Sequence, residues 1–172
     1  DPAYAKAVTP IGIRIYGGYF REPINLEGIT TTTNIVLDGG VFMSGMRLTN
    51  FKSDKNFSLD ASNVRGPIYL MRARIDGSIF LEEGVYDLVD LNDSRIGASV
   101  QATGSVFTAP LRLDEARIEG TVVLARARLT TLSAQQAHIG GSLTLSEVDI
   151  RGGADMTGSQ IGGHLFLPGM TF

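Results

Sequence analysis

The stretch "IGGSLTLSEVDIRGGADMTGSQIGGHLFL", residues 139–167, contains the tripeptide Ile-Gly-Gly twice, with the copies twenty-two residues apart. Each copy is followed by one residue and then by two apolar residues that are separated by one position. Regular spacing of this kind indicates an internal repeat, and a repeat determines the architecture of the chain that carries it.

The repeat runs through most of the chain as an eleven-residue unit, L-x-L-x-x-A-x-I-x-G-x, whose positions we number 1 to 11. Positions 1 and 3 are apolar in all fifteen units, position 6 is mostly small, and position 8 is mostly Ile, Leu or Phe. The units begin at Ile13, Ile24, Ile35, Met46, Phe57, Ile68, Ile79, Val89, Val100, Leu111, Val122, Leu132, Leu143, Ala154 and Leu165.

Apolar residues two positions apart indicate strands, and the Gly, Pro, Asn, Asp, Ser and Thr between them indicate turns. Strands this short predict a β-solenoid, in which each strand pairs in parallel with its equivalent one coil away. Odd and even units differ at position 8 and in their turns, so the sequence predicts about 22 residues per coil. About seven and a half coils at ~4.8 Å each predict an all-β rod roughly 36 Å long. Parallel crossovers are almost always right-handed, so we expect a right-handed parallel β-helix.

The segments "ARIEG", "ARLTT", "AHIGG" and "SRIGA" place a small residue two positions before a central apolar one. In this the chain resembles the pentapeptide-repeat proteins, although its steps alternate between five and six residues. The resemblance implies a four-sided β-helix, no shared catalytic residues, and function through the surface, with partner proteins as the expected targets. Some members mimic DNA with acidic surfaces, whereas this chain has only the short acidic column Asp38, Asp60 and Glu82.

Composition limits the classes of protein to which the chain can belong. Its 172 residues, 43% of them hydrophobic, are enough for one folded domain, and the absence of cysteine excludes a disulfide framework. A formal net charge of -3 gives no reason to expect a nucleic-acid partner. The sequence shows neither a membrane span nor a signal peptide. We therefore expect a soluble chain, in a compartment that the sequence does not specify.

The sequence contains none of the phosphate-binding, dinucleotide-binding, metalloprotease, hydrolase or EF-hand motifs. Its two histidines, His138 and His164, occupy different positions of the unit, which disfavours a zinc site. We assign no catalytic, cofactor-binding or metal-ligating residue and expect no cofactor. The frame also leaves no long loop from which a catalytic cleft is usually built, so the sequence favours a non-enzyme without deciding the question.

Position 7 of the even units is predicted to form an outward column of basic residues, which we call the basic stripe. Its members are Lys52, Arg74, Arg95, Arg117 and His138. At position 9 of the same units, Asp54, Asp76 and Glu119 are placed to neutralise Lys52, Arg74 and Arg117 respectively, whereas Arg95 is followed by Gly97. The stripe is either a surface ion-pair ladder that favours solubility or a linear site for an anionic partner.

The segment "EEGVYDLVDLND" carries five acidic residues with no Lys or Arg between them. We call these the acidic patch: Glu82, Glu83, Asp87, Asp90 and Asp93. Crowded carboxylates are able to bind a divalent cation or to cleave a glycoside, so a carbohydrate-directed or metal-assisted enzyme is one alternative function. The other interpretation is that these are solvated residues on different sides of a coil.

The frame predicts a single β-helix domain over residues 13–172, preceded by an N-terminal cap or lead-in over residues 1–12. Because the chain opens with Asp1 and its frame runs to Phe172, we expect it to be a fragment of a longer protein. An open β-helix end exposes strand edges and core, so end-to-end self-association through the C-terminal coil is a further alternative. The leading hypothesis is a non-catalytic scaffold or protein-interaction module that acts through its flat stacked faces.

Overall fold

A computed structural model describes residues 12–171, which form twenty-nine strands of two residues each and contain no helix. Each strand pairs in parallel with its equivalents in neighbouring coils, so the strands collect into four parallel sheets. We number the sheets 1 to 4 in the order in which the chain visits them. The predicted all-β, four-sided parallel β-helix is confirmed.

Sheets 1 and 2 are built from the odd units. Sheet 1 comprises the eight strands Ile13–Arg14, Ile35–Val36, Phe57–Ser58, Ile79–Phe80, Val100–Gln101, Val122–Val123, Leu143–Thr144 and Leu165–Phe166. Sheet 2 comprises the seven strands Tyr19–Phe20, Val41–Phe42, Asn63–Val64, Val85–Tyr86, Val106–Phe107, Arg128–Leu129 and Asp149–Ile150.

Sheets 3 and 4 are built from the even units and have seven strands each. Sheet 3 comprises Ile24–Asn25, Met46–Arg47, Ile68–Tyr69, Val89–Asp90, Leu111–Arg112, Leu132–Ser133 and Ala154–Asp155. Sheet 4 comprises Thr30–Thr31, Lys52–Ser53, Arg74–Ile75, Arg95–Ile96, Arg117–Ile118, His138–Ile139 and Gln160–Ile161.

The two Ile-Gly-Gly turns form the same corner in successive coils, between sheet 4 and sheet 1. Ile139 pairs with Ile161, and the Gly163 N–H donates to the Gly141 carbonyl oxygen at 2.8 Å. A side chain at Gly163 would come within 2.9 Å of the Gly141 carbonyl carbon, so there is no room for a larger residue at Gly163. The predicted period of twenty-two residues is therefore confirmed, and right-handed winding stays a prediction.

The core is a continuous column of apolar side chains from positions 1, 3, 6 and 8, fully buried between Ile35 and Ile150. Sheet 2 contributes three of the five buried aromatic rings, those of Phe42, Tyr86 and Phe107. The rings of Phe20 and Phe42 stack with their centroids 4.6 Å apart. A Cβ atom at Gly40 would lie 2.7 Å from the Phe42 ring, which explains why glycine precedes several of these aromatic residues by two positions.

Each unit turns between positions 3 and 6. In twelve of the fifteen units the N–H of position 6 donates to the carbonyl oxygen of position 3, as from Ser62 to Leu59 at 3.2 Å. The residue at position 5 has a positive φ in all fifteen turns, including nine that are not glycine, with φ of 54° to 58°. These nine are Asn50, Ala61, Arg72, Glu83, Asp93, Glu115, Arg126, Gln136 and Glu147. A left-handed backbone conformation is costly for residues with a Cβ atom. The contacts between stacked coils therefore outweigh that cost in these nine turns.

Residues 1–11 and Phe172 lie outside the described residues, and with them most of the lead-in predicted over residues 1–12. In the last described coil, Leu165, Phe166 and Leu167 are each at least 44% exposed. Self-association through this coil stays a prediction. None of the described residues belongs to a helix that is long and apolar enough to cross a membrane.

Candidate functional site

The basic stripe lies on the outer face of sheet 4 as a single column, as its position in the unit predicts. Position 7 points outward because its neighbours at positions 6 and 8 are packed in the core. Lys52 pairs in register with Arg74, Arg74 with Arg95, Arg95 with Arg117, and Arg117 with His138. The first four side chains are exposed and His138 is half-buried, so the column presents its charges at the spacing of neighbouring strands, about 4.8 Å.

Two of the three predicted ion pairs beside the stripe are present. The Arg74 Nε atom lies 3.2 Å from Asp76 Oδ1, and the Arg117 Nε atom lies 3.0 Å from Glu119 Oε1. The predicted pairing of Lys52 with Asp54 is wrong, since these two residues form no ion pair within 4.0 Å. Both Asp76 and Glu119 are more than half exposed, so neither pair is expected to add much stability.

Arg95 is the only arginine of the stripe that has no ion pair among residues 12–171. It lies between the two paired arginines, and its guanidinium group makes no hydrogen bond within the described part of the chain. Position 9 of its unit is Gly97, so no carboxylate is held beside it. The result is an open groove centred on Arg95, lined by Arg74, Asp76, Arg95, Ile96, Gly97, Arg117 and Glu119.

The backbone keeps this groove open. A Cβ atom at Gly97 would clash with the Asp76 carbonyl oxygen of the preceding coil and lie 3.0 Å from its carbonyl carbon. The Gly97 N–H is itself used, donating to the Ile75 carbonyl oxygen at 2.8 Å. Gly97 is therefore needed for close stacking of two coils, and the gap in the acidic column beside Arg95 follows from that requirement.

The acidic patch does not converge on one place. Glu82 and Glu83 lie at the corner between sheets 1 and 2, Asp87 at the corner between sheets 2 and 3, Asp90 on sheet 3, and Asp93 at the corner between sheets 3 and 4. No group of three or more His, Cys, Asp or Glu side chains in residues 12–171 is placed to hold a metal ion.

Asp90 and Asp93 have separate structural surroundings. The Asp90 carboxylate is buried, accepts a hydrogen bond from the Asn92 N–H at 3.1 Å, and lies 3.8 Å from the Arg112 guanidinium group. Asp93 occupies a left-handed turn and lines a shallow depression along one side of the stripe, together with Arg95 and Glu115. Sequence reasoning missed this proximity of Asp93 to the stripe, although Asp93 and Arg95 are only two residues apart.

Stacked polar residues at the corner between sheets 4 and 1 bind the backbone of the next coil. The Asn34 side-chain oxygen accepts from the Asn56 N–H at 3.2 Å, and the Asn56 side-chain oxygen accepts from the Ser78 N–H at 2.9 Å. The Ser99 hydroxyl oxygen accepts from the Thr121 N–H at 3.1 Å. This column therefore has a structural role.

The acidic column of Asp38, Asp60 and Glu82 forms a similar ladder, which sequence reasoning missed. Asp38 Oδ1 accepts from the Asp60 N–H at 3.0 Å, and Asp60 Oδ1 accepts from the Glu82 N–H at 2.7 Å. Burial raises the pKa of the Asp60 carboxyl group above 3.8, and the neighbouring carboxylates of Asp38 and Glu82 add to that effect. The signal in the sequence was an acceptor side chain recurring at position 4 of successive odd units.

The fold and the stripe define this chain as a four-sided parallel β-solenoid repeat protein with a basic column on one face. No family model and no curated protein matches the chain. A solved structure that resembles it is that of HetL, a pentapeptide repeat protein involved in heterocyst differentiation regulation from the cyanobacterium Nostoc sp. strain PCC 7120. The match covers 98% of this chain and 94% of HetL at 16% identity, with a TM-score of 0.26. Because the identity and the TM-score are low, the similarity to HetL carries no argument about function. The solenoid fold of this chain follows from its own strand pairing.

Proposed function

We propose that this chain is a non-catalytic binding module that docks an acidic protein surface along the basic stripe of sheet 4. The observation that carries the proposal is the strand register, which aligns Lys52, Arg74, Arg95, Arg117 and His138 in one outward-facing column. Short strands without long loops make the face flat and preorganised, which lowers the conformational cost of binding. Aligned positive charges favour an acidic partner and speed its association at low salt.

The carboxylates of the acidic patch give no comparable support to the alternative function, a carbohydrate-directed or metal-assisted enzyme. They are spread over three corners and one sheet, and Asp90 is already engaged with Asn92 and Arg112. Binding along the stripe requires none of these carboxylates.

The proposal is tested by binding to poly-L-glutamate of about 20 residues, measured by biolayer interferometry at low and at physiological salt. The stripe variant carries Arg74→Ser, Arg95→Ser and Arg117→Ser. The matched control carries Arg47→Ser, Arg65→Ser and Arg128→Ser, which removes the same charge from exposed positions away from sheet 4. Circular dichroism establishes that both variants fold.

We expect the stripe variant to lose at least about tenfold in affinity and the control to lose no more than about threefold. Equal losses in the two variants would mean that net charge, and not the stripe, drives binding. Stripe-dependent binding of heparin or of phosphatidylserine vesicles, without binding of polyglutamate, would replace the acidic protein by another polyanion and overturn the proposal.

A further inference from the structure

The three arginines of the stripe are not equivalent. The Nε atoms of Arg74 and Arg117 are already engaged with Asp76 and Glu119, at 3.2 and 3.0 Å. Arg95 makes no such contact within residues 12–171, so all of its guanidinium donors are available. A planar guanidinium group with free donors binds a carboxylate through two parallel hydrogen bonds, which a lysine ammonium group is unable to do.

The groove at Arg95 is maintained by the fold. Gly97 has to lack a side chain because a Cβ atom there would clash with the Asp76 carbonyl oxygen. The groove therefore stays open in front of Arg95, while the ion pairs of Arg74 and Arg117 form its two walls.

The charge of the groove favours a singly charged ligand group. Its lining contains the guanidinium groups of Arg74, Arg95 and Arg117 and the carboxylates of Asp76 and Glu119, so there is one positive charge in excess. One carboxylate neutralises that excess, whereas a doubly charged phosphate would leave the groove with a net negative charge. Asp93 lies on the far side of Arg95 and opposes binding of any anion there.

We infer that Arg95 is the specificity-determining residue of the stripe, and that its guanidinium group binds one carboxylate of the acidic partner through two hydrogen bonds in the groove at Gly97. This inference rests on the proposed function of the stripe. Arg74 and Arg117 stay paired with Asp76 and Glu119, and they orient the carboxylate of the partner as it enters the groove.

The inference is tested with single variants, using the same poly-L-glutamate probe. Arg95→Gln is expected to lose about tenfold in affinity, and Arg95→Lys at least about fivefold, because lysine keeps the charge but lacks the planar fork. Lys52→Gln is the matched control, since Lys52 belongs to the stripe, also lacks an ion pair and lies outside the groove. We expect it to lose about threefold, less than Arg95→Gln, because it removes one charge of the stripe but leaves the planar fork of Arg95 in place.

Asp93→Asn removes the opposing carboxylate at a left-handed turn position that Asn tolerates, and it is expected to raise the affinity. In NMR spectra, the Arg95 side-chain Nε–H resonance is expected to shift and saturate on titration with polyglutamate, while those of Arg65 and Arg128 stay in place.

Native-like binding by Arg95→Lys would show that charge alone is recognised and would overturn the inference. So would equal losses in Arg95→Gln and Lys52→Gln. In either case the stripe remains a binding surface if the triple stripe variant has lost affinity, whereas failure of the native chain to bind polyglutamate at all would overturn the proposed function itself.

Discussion

At the level of single residues, position 6 shows how closely the core constrains side-chain chemistry. Ser94 is buried in the column that holds Ala73 and Ala116, and its hydroxyl group has no hydrogen-bond partner. Ser105 is equally buried, but its hydroxyl donates to the Leu81 carbonyl oxygen and accepts from the Gly84 N–H at 3.3 Å. A small residue at position 6 was predictable from the sequence, whereas the use of its hydroxyl group depends on which carbonyl groups the preceding coil brings near it.

We predict that Ser94→Ala raises the free energy of unfolding by about 1 kcal/mol, because it removes a buried polar group without a partner. Ser105→Ala is expected to lower the free energy of unfolding by a similar amount, since the Ser105 hydroxyl group both donates and accepts a hydrogen bond. Urea unfolding followed by circular dichroism measures both effects. If the two variants change stability in the same direction, side-chain size and not hydrogen bonding controls this position.

At the level of structural elements, the corners hold the coils together through ladders of acceptor side chains. Asp60 in the acidic ladder has a raised pKa, which means that its folded-state carboxyl group binds a proton more readily than the same group in the unfolded chain. The folded state therefore holds more protons between pH 3.8 and the raised pKa, and the contribution of Asp60 to stability falls as pH rises through that window. At neutral pH the cost of its burial is fully present.

We predict that Asp60→Asn raises the free energy of unfolding at neutral pH, because the amide oxygen still accepts from the Glu82 N–H and no charge is buried. Asn56 already makes the same kind of contact at the corner between sheets 4 and 1. The gain is expected to shrink as pH is lowered toward the ordinary carboxyl range, which urea unfolding at several pH values will show. Asp60→Ala, which removes the acceptor as well, is the control and is expected to destabilise. A gain for Asp60→Asn that does not change with pH would contradict the role assigned to its ionisation.

At the level of the whole molecule, every strand pair links a coil to a neighbouring coil, so stability is close to a sum over coils. The twenty-two-residue period distinguishes this fold from a solenoid in which each coil contains a single eleven-residue unit. Sheet 2 carries the aromatic rings at position 8, whereas sheet 4 carries mainly isoleucine there. Only a shift by a full coil stacks aromatic residues on aromatic residues and isoleucine on isoleucine.

We predict that deletion of residues 111–131, which places Leu132 where Leu111 stood, leaves a cooperatively folding β-solenoid. It should lower the free energy of unfolding by about 1 to 3 kcal/mol, the share of one coil. Deletion of residues 111–121 removes only half a coil, yet it should destabilise more, because it stacks sheet 1 strands on sheet 3 and breaks the corner ladders. Circular dichroism and urea unfolding of the two variants make the comparison. Equal or greater stability of the half-coil deletion would contradict the two-unit coil.

The sequence by itself determined the eleven-residue frame, the two-unit coil, the inward positions and the alignment of the basic stripe. These follow from strand periodicity and from parallel stacking, which repeats the same geometry in every coil. The tertiary structure alone decided that Lys52 is not paired with Asp54, that Gly97 holds the groove at Arg95 open, that the acidic patch is dispersed, and that Asp93 lies beside the stripe. Each of these depends on side-chain conformation and on how closely one coil packs against the next, and neither is encoded in the spacing of residues along the chain.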